Sequence, residues 1–579
     1  MAREARTVVI AHGSHTIRAG FGIHEPLRLP SVELSAQVGL RSSHIQALRA
    51  HNAKIASLNG SSADVTDGSD PYLSPVKPSD YLVGHFLEDA LQHPEGYQDD
   101  PVHAFWPMVG GKIRDWGGMQ AIWYHLLFFS LPVIRSTNQS VTLLSLPPQA
   151  IDRNTSAQIH KIFFEELNCP ALCVVDSSLV STFAVGQLGA CVVDVGWSGS
   201  SAACVLDALP VLGSNVRCEV GLRECIAYLA FQLGQDRRLV QTLLTTPEGA
   251  ASTSAASSSD KETQLLLALA EELFKQGEVS LGEGDDGLQA TNANVDDEGN
   301  FDVLGALTSG KEKEAIAAQE KKNRALIEEG KEPEKIQMPA EIAANGNTSA
   351  GASDVNGFLT FQFRETPLRI PKSPLDKAVT PLTEPSVLAS VDSRFLTLAS
   401  PPSLSSEDSI PSAPAQVDWA SIPSLPEVIS SSINSILEAE RRAPLWELLV
   451  ITGQPTRVLR GLTTYIVSSL SKFIASSSAA NGNGGAGGMM AANGGGIGGV
   501  DDVGAGLAFN GQQVSNARAL KTPDYFVEFK DRTDLAPFLG ATIYAKLVFA
   551  DSQAKGYTLK SAYIERGPTV AFQVLPSDK

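Results

Sequence analysis

The chain holds only six cysteines in 579 residues, and no two of them are spaced as CxxC. All six lie between Cys169 and Cys225 with no His-rich spacing beside them. That argues against structural zinc and for small apolar thiols in a reducing compartment. Long apolar runs are missing as well. The longest, AIWYHLLFFSLPVI at 121–134, is too short to cross a bilayer. The opening MAREARTVVI lacks the apolar length of a secretory leader. Positive charge is scarce: 45 Lys and Arg against 64 Asp and Glu leave a net charge of -19. Such a surface repels phosphate backbones and anionic membranes, so no direct binding to nucleic acid or membrane is expected. The expectation is a soluble intracellular protein that, if it works near DNA, does so through partners.

What is present reads as α/β. From about residue 80 to 232, apolar strands (VTLLSL, ACVVDVG, SAACVL) alternate with helical patterns (GGMQAIWYHLLFF, TSAQIHKIFFEEL). Polar stretches interrupt this body. Residues 366–427 hold eleven of the 33 prolines, a composition that disfavours packing, and 481–500 hold ten glycines, as a flexible linker would. The expected inserts or loops are 35–79, 246–300, 371–427 and 475–515. Within 311–335, KEKEAIAAQEKKNRALIEEGKEPEK predicts a charged, solvated helix or a partner-binding arm.

Two stretches share one plan of strand, Gly-containing turn and returning strand: TVVIAHGSHTIRAG near the start and CVVDVGWSGSSAACV at 191–205. Facing one another, two such hairpins could grip a polyphosphate through their turn N–H groups. A hydrolase would place a carboxylate at the start of the first turn, to hold a metal or its waters. Here the position is Ala11, followed by His12.

WPMVGGKIRDWGGMQAIWYHLL (106–127) resembles, without a gap, a segment of actin, through Pro107, Gly111, Trp116, Met119, Ile122, Trp123 and His125. FFEELNCPALCVVDSSLVSTFAVGQLGACVVDVG (163–196), FLGATIYAKL and ERGPTVAF are similar to further actin blocks. The resemblance is to the actin-related family, and it implies an α/β actin-like fold. Two ribonuclease-H-like lobes would flank a cleft, with long low-complexity inserts. The small lobe would comprise 1–34, 80–187 and 515–579. The large-lobe core would comprise 188–245 and 428–475, with 300–370. The insert ending in FLTFQF, the stretch TPDYFVEFKDRTDLAPFLGATIYAKLVF and the ending KGYTLKSAYIERGPTVAFQV resemble a fungal class of the family found in SWI/SNF- and RSC-type chromatin remodellers. That class implies a nuclear, non-filamentous subunit. It would bind the helicase–SANT-associated helix of the motor ATPase and pair with a second actin-related protein.

On the same alignment, Gly13, Ser14, Asp194, Gly196 and Gly453 fall at a nucleotide site. Around them the pattern departs from actin. Ala11 replaces the first carboxylate, His15 a glycine, Ser177 the water-orienting glutamine, and Ser201 a histidine. Trp197 replaces a further carboxylate and Gln454 a glycine. Such losses cost orders of magnitude in rate. The expectation is a vestigial site with no catalytic residue, no metal and no bound cofactor, in which turn N–H groups hold the Asp194 carboxylate. The alternatives are a working ATPase of the superfamily and a subunit of another actin-related assembly such as dynactin. The partner groove implied by the resemblance comprises Phe183, Ala184, Gly186, Leu188, Ile543, Tyr544 and Leu547.

Overall fold

The computed structural model describes residues 7–22, 28–59, 74–245, 258–279, 281, 353–354, 357–364, 366–399, 417–474, 516–550 and 556–573. Its first sheet is built from β1 (Thr7–His12), β2 (Thr16–Phe21), β3 (Val32–Ser35), β4 (Val141–Leu146) and β5 (Ala171–Asp176), with a short strand Thr558–Leu559 at its edge. The order runs from that edge strand through β5, β4, β1 and β2 to β3. All six residues of β1 are buried, as a strand covered on both faces requires. Val8 and Ile10 face one apolar core, whereas Val9 and Ala11 face another. This alternation follows the two-residue period of a strand.

The second sheet repeats the plan. Strands β6 (Ala190–Val195) and β7 (Ser200–Leu206) form an antiparallel hairpin, and β8 (Leu449–Thr452) runs parallel to β6. In the first sheet β1 pairs with β2 antiparallel and with β4 parallel. The duplication seen in the two hairpin sequences is thus a duplication of the fold. Each sheet centres one lobe: the small lobe on β1–β5, the large lobe on β6–β8.

Five helices position the cleft between the lobes: α1 (Trp116–His125), α2 (Ser177–Ala184), α3 (Leu222–Gly234), α4 (Ser258–Gln276) and α5 (Ala536–Ala550). The Asp115 carboxylate accepts hydrogen bonds from the Gly117 and Gly118 N–H groups and so starts α1. Asp176 starts α2 in the same way, accepting from the Ser178 N–H at 2.8 Å. Helices α2 and α5 pack backbone to backbone at Gly540, where any Cβ would collide with the Val180 carbonyl.

Several stretches expected as inserts belong to the body instead. Val38, Leu40 and Ile45 lie in the small-lobe core. Within 246–300, α4 buries Leu266, Leu269, Ala270 and Leu273 in the large-lobe core, on the stripe its i, i+3, i+4, i+7 spacing creates. Within 371–427, Val379, Leu382, Leu388 and Phe395 are buried there too. The prolines of that segment do not prevent packing because Pro381 and Pro385 sit in the first turns of short helices, where no N–H is missed. Residues 518–520, expected with the small lobe, run beside β8: the Leu449 N–H donates to the Arg518 carbonyl, and the Leu520 N–H to that of Leu449. The charged stretch 311–335 and the glycine-rich stretch 481–500 lie outside the described residues. No described helix is long and apolar enough to cross a membrane.

Candidate functional site: the cleft between the lobes

Each hairpin turn is closed by the same hydrogen bond. The Gly13 N–H donates to the Thr16 carbonyl at 3.0 Å, and the Gly196 N–H donates to the Gly199 carbonyl at 3.0 Å. A Cβ at Gly13 would lie 2.8 Å from the Thr16 oxygen, and one at Gly196 would lie 2.6 Å from the Gly199 oxygen. Both turns therefore need glycine for their shape. Gly453, at the end of β8, has φ +109°, and a Cβ there would collide with the Val195 carbonyl. Gly13, Gly196 and Gly453 thus come together around one cleft with Ser14 and Asp194.

The turn tips, Ser14–His15 and Trp197–Ser198, meet across that cleft. The His15 ring lies 4.6 Å from the Trp197 ring on one side and 4.5 Å from the Trp106 ring on the other, measured between centroids. Burial pulls the His15 pKa down to about 4, against the opposing effect of Glu271 on α4, so the ring is neutral at pH 7. What remains between the turns is a cavity of about 90 Å³. Ordinary ligand pockets occupy roughly 300–1,000 Å³.

The floor of the cavity is polar. Burial raises the Asp194 pKa to about 6, with Arg217 and Arg18 opposing the shift. Asp194 lines the cavity, and nothing among the described residues donates a hydrogen bond to it, contrary to the expectation of a carboxylate held by turn N–H groups. Both ring nitrogens of His12, the Ser145 hydroxyl and the Gln454 side-chain oxygen are also buried without a protein partner. Burial holds the His12 pKa near 4. Ser177 and Ser201 line the same cavity.

Sequence reasoning missed the strongest charge arrangement in the cleft. Arg18 on β2 donates from Nη2 to Asp534 Oδ2 at 2.9 Å and from Nη1 to the Asp534 carbonyl at 2.7 Å. Asp534 also accepts from Arg532 Nε at 2.8 Å and Nη2 at 3.0 Å, and its side chain is completely buried. The Arg18 guanidinium is therefore committed to the protein's own carboxylate. The two partners are 516 residues apart; the only local sign was one arginine inside the apolar strand TIRAGF.

On α2 and α5, Phe183 and Tyr544 pack with ring centroids 5.4 Å apart. Leu188 is 62% exposed and Leu547 57%, Gly186 is also exposed, and Ile543 is half-buried. Ala184, expected on the groove surface, is fully buried in the core beneath it. Its place on α2 points it toward α5. Tyr525 was not anticipated: it is 66% exposed, with its hydroxyl 3.9 Å from where a Gly186 Cβ would stand.

Two lobes of one hairpin-and-strand plan, each presenting a glycine turn to a shared cleft, define the actin-like fold. Residues 2–265 match the family model described as Actin. It is 24% identical over 241 residues to the protein named "SWI/SNF and RSC complexes subunit arp9" of Schizosaccharomyces pombe, covering 39% of this chain and 44% of that one. It is 30% identical over 129 residues to human "Actin-like protein 9", covering 22% of this chain and 30% of the relative. Against Saccharomyces cerevisiae "Centractin" the identity is 27% over 128 residues, 22% of this chain and 33% of the relative. The matched stretches thus span between about a third and under half of these relatives' length.

Proposed function

We propose that this chain is a non-catalytic actin-related subunit of a SWI/SNF- or RSC-type chromatin-remodelling complex, acting in the nucleus as a protein-binding module. The observation that carries the non-catalytic part is the ring contact between His15 and Trp197, which fills the space between the two turns. A nucleoside triphosphate with its metal does not fit the residues as arranged. The cavity is about 90 Å³, Arg18 is engaged by Asp534, and the position opening the first turn is Ala11, which cannot hold a metal-bound water. The complex assignment is supported by the similarity to the fission-yeast subunit.

The binding element is the groove between α2 and α5, whose half-buried aromatic pair and exposed leucines suit the apolar face of an amphipathic helix. The helix it would accept is the helicase–SANT-associated helix of the motor subunit, with a second actin-related protein alongside. The test is affinity purification from nuclei of wild type and of a Leu188→Asp/Leu547→Asp variant, read by mass spectrometry. Both side chains are more than half exposed, so the variant should melt within a few degrees of wild type. Wild type should recover a remodeller motor subunit and the variant should lose it. Recovery of a different assembly, or equal recovery of the motor by both proteins, contradicts the proposal.

A further inference from the structure

The contacts that fill the cleft also tie the lobes together. Trp106 packs in the small-lobe core and Trp197 against the large-lobe core, with His15 between their rings. Two polar ties flank this stack. Gln149, just after β4 in the small lobe, donates from Nε2 to Asn215 Oδ1 of the large lobe at 2.8 Å. Arg457, just after β8 in the large lobe, lies 3.7 Å from Glu33 on β3. The outer two are exposed and individually weak. At the centre Trp106 is buried while His15 and Trp197 are half-buried, and desolvation keeps the imidazole neutral, so no charge must be hidden to close the contact.

We propose that the His15–Trp197 contact, with its flanking ties, is a built-in fastener that holds the two lobes at one angle without any ligand in the cleft. A two-lobed protein hinged at its base samples open and closed forms, and something must favour the closed one. In this chain the turn tips supply that preference themselves. The consequence reaches the groove, because α2 carries Ser177 and Ser181 on the cleft and Phe183 on the groove. Likewise α5 carries Pro537 and Phe538 on the cleft, with Ile543 and Tyr544 on the groove. The backbone contact at Gly540 makes the two helices move as one body. Leu188, whose carbonyl accepts from the Ala208 N–H just after the large-lobe strand β7, therefore keeps its place against these two helices only while the lobe angle is fixed. This inference stands on the interlobe contacts and does not depend on which complex the chain joins.

Double electron–electron resonance between spin labels on the two lobes tests it. Introduced cysteines at Glu88 and Gln241 are exposed, whereas all six native cysteines are buried and will not compete for label. The full-length protein should give a single narrow distance that magnesium–ATP does not change. Trp197→Ser should replace it with a broad distribution containing longer distances. His15→Ser, a smaller loss at the same contact, should do so in part, and it carries the test if the tryptophan variant does not fold. A broad distribution in the unsubstituted protein overturns the proposal. So does a distance that narrows when magnesium–ATP is added, or a distribution left unchanged in whichever variant folds.

Discussion

Asp534→Ala is expected to lower the unfolding free energy by about 3–5 kcal/mol, the loss that follows when one partner of a buried ion pair is removed. The carboxylate is completely buried and Arg18 is only 10% exposed. Arg532 can turn toward solvent, since its side chain is 29% exposed, but Arg18 on the sheet cannot. The guanidinium would remain in the cleft with Glu33 as its nearest acid, 3.2 Å away but 42% exposed. Urea unfolding of the variant beside wild type gives the number directly. A loss under about 1 kcal/mol would mean that the pair contributes no more than an exposed one. The same variant removes Arg18's buried carboxylate partner, so it also marks how far that pairing excludes an anion.

Gly540→Ala should cost about 3 kcal/mol, the upper end of what overpacking a core costs, read as a drop in melting temperature. The added methyl has nowhere to go. It would meet the Val180 carbonyl carbon and oxygen, and the Ala184 N–H at 3.1 Å, all of them backbone. Backbone cannot rotate away as a side chain does, so α2 and α5 must separate. Their separation would open the core formed by Val180, Leu539 and Ala541. Circular dichroism melts of the purified variant check this. A melting temperature equal to that of wild type would show that the two helices are loosely joined.

Much of this was legible in the chain. The two hairpin turns could be read from GSH and GWSG because only glycine permits a strand to reverse so tightly, and the structure gives both the same closing hydrogen bond. WPMVGGKIRDWGGMQAIWYHLL carried the resemblance to actin because its Asp115 cap, glycines and buried Trp123 are fixed by local packing. The replacement of a glycine by His15 and of a carboxylate by Trp197 could be read from the alignment; the contact between their rings comes from the structure. Three things were not legible. Composition hid the packed helices of 258–276 and 380–399, because serine, alanine and proline counts say nothing about where each residue sits in a turn. The apolar stripe LLLALAEELF was the better signal. The Arg18–Asp534 pair joins strands and loops over 516 residues, and no local pattern announces such a partner. Trp106 lay inside the segment that carried the actin resemblance, but nothing there indicated that its ring would close on His15.

The two turns that would receive phosphates are closed upon one another through His15 and Trp197. Isothermal titration of magnesium–ATP into the purified full-length protein tests it most directly. No saturable heat is expected at millimolar nucleotide, and no phosphate release in a parallel assay. Saturable, magnesium-dependent binding with turnover would contradict it and restore the reading of this chain as a working ATPase.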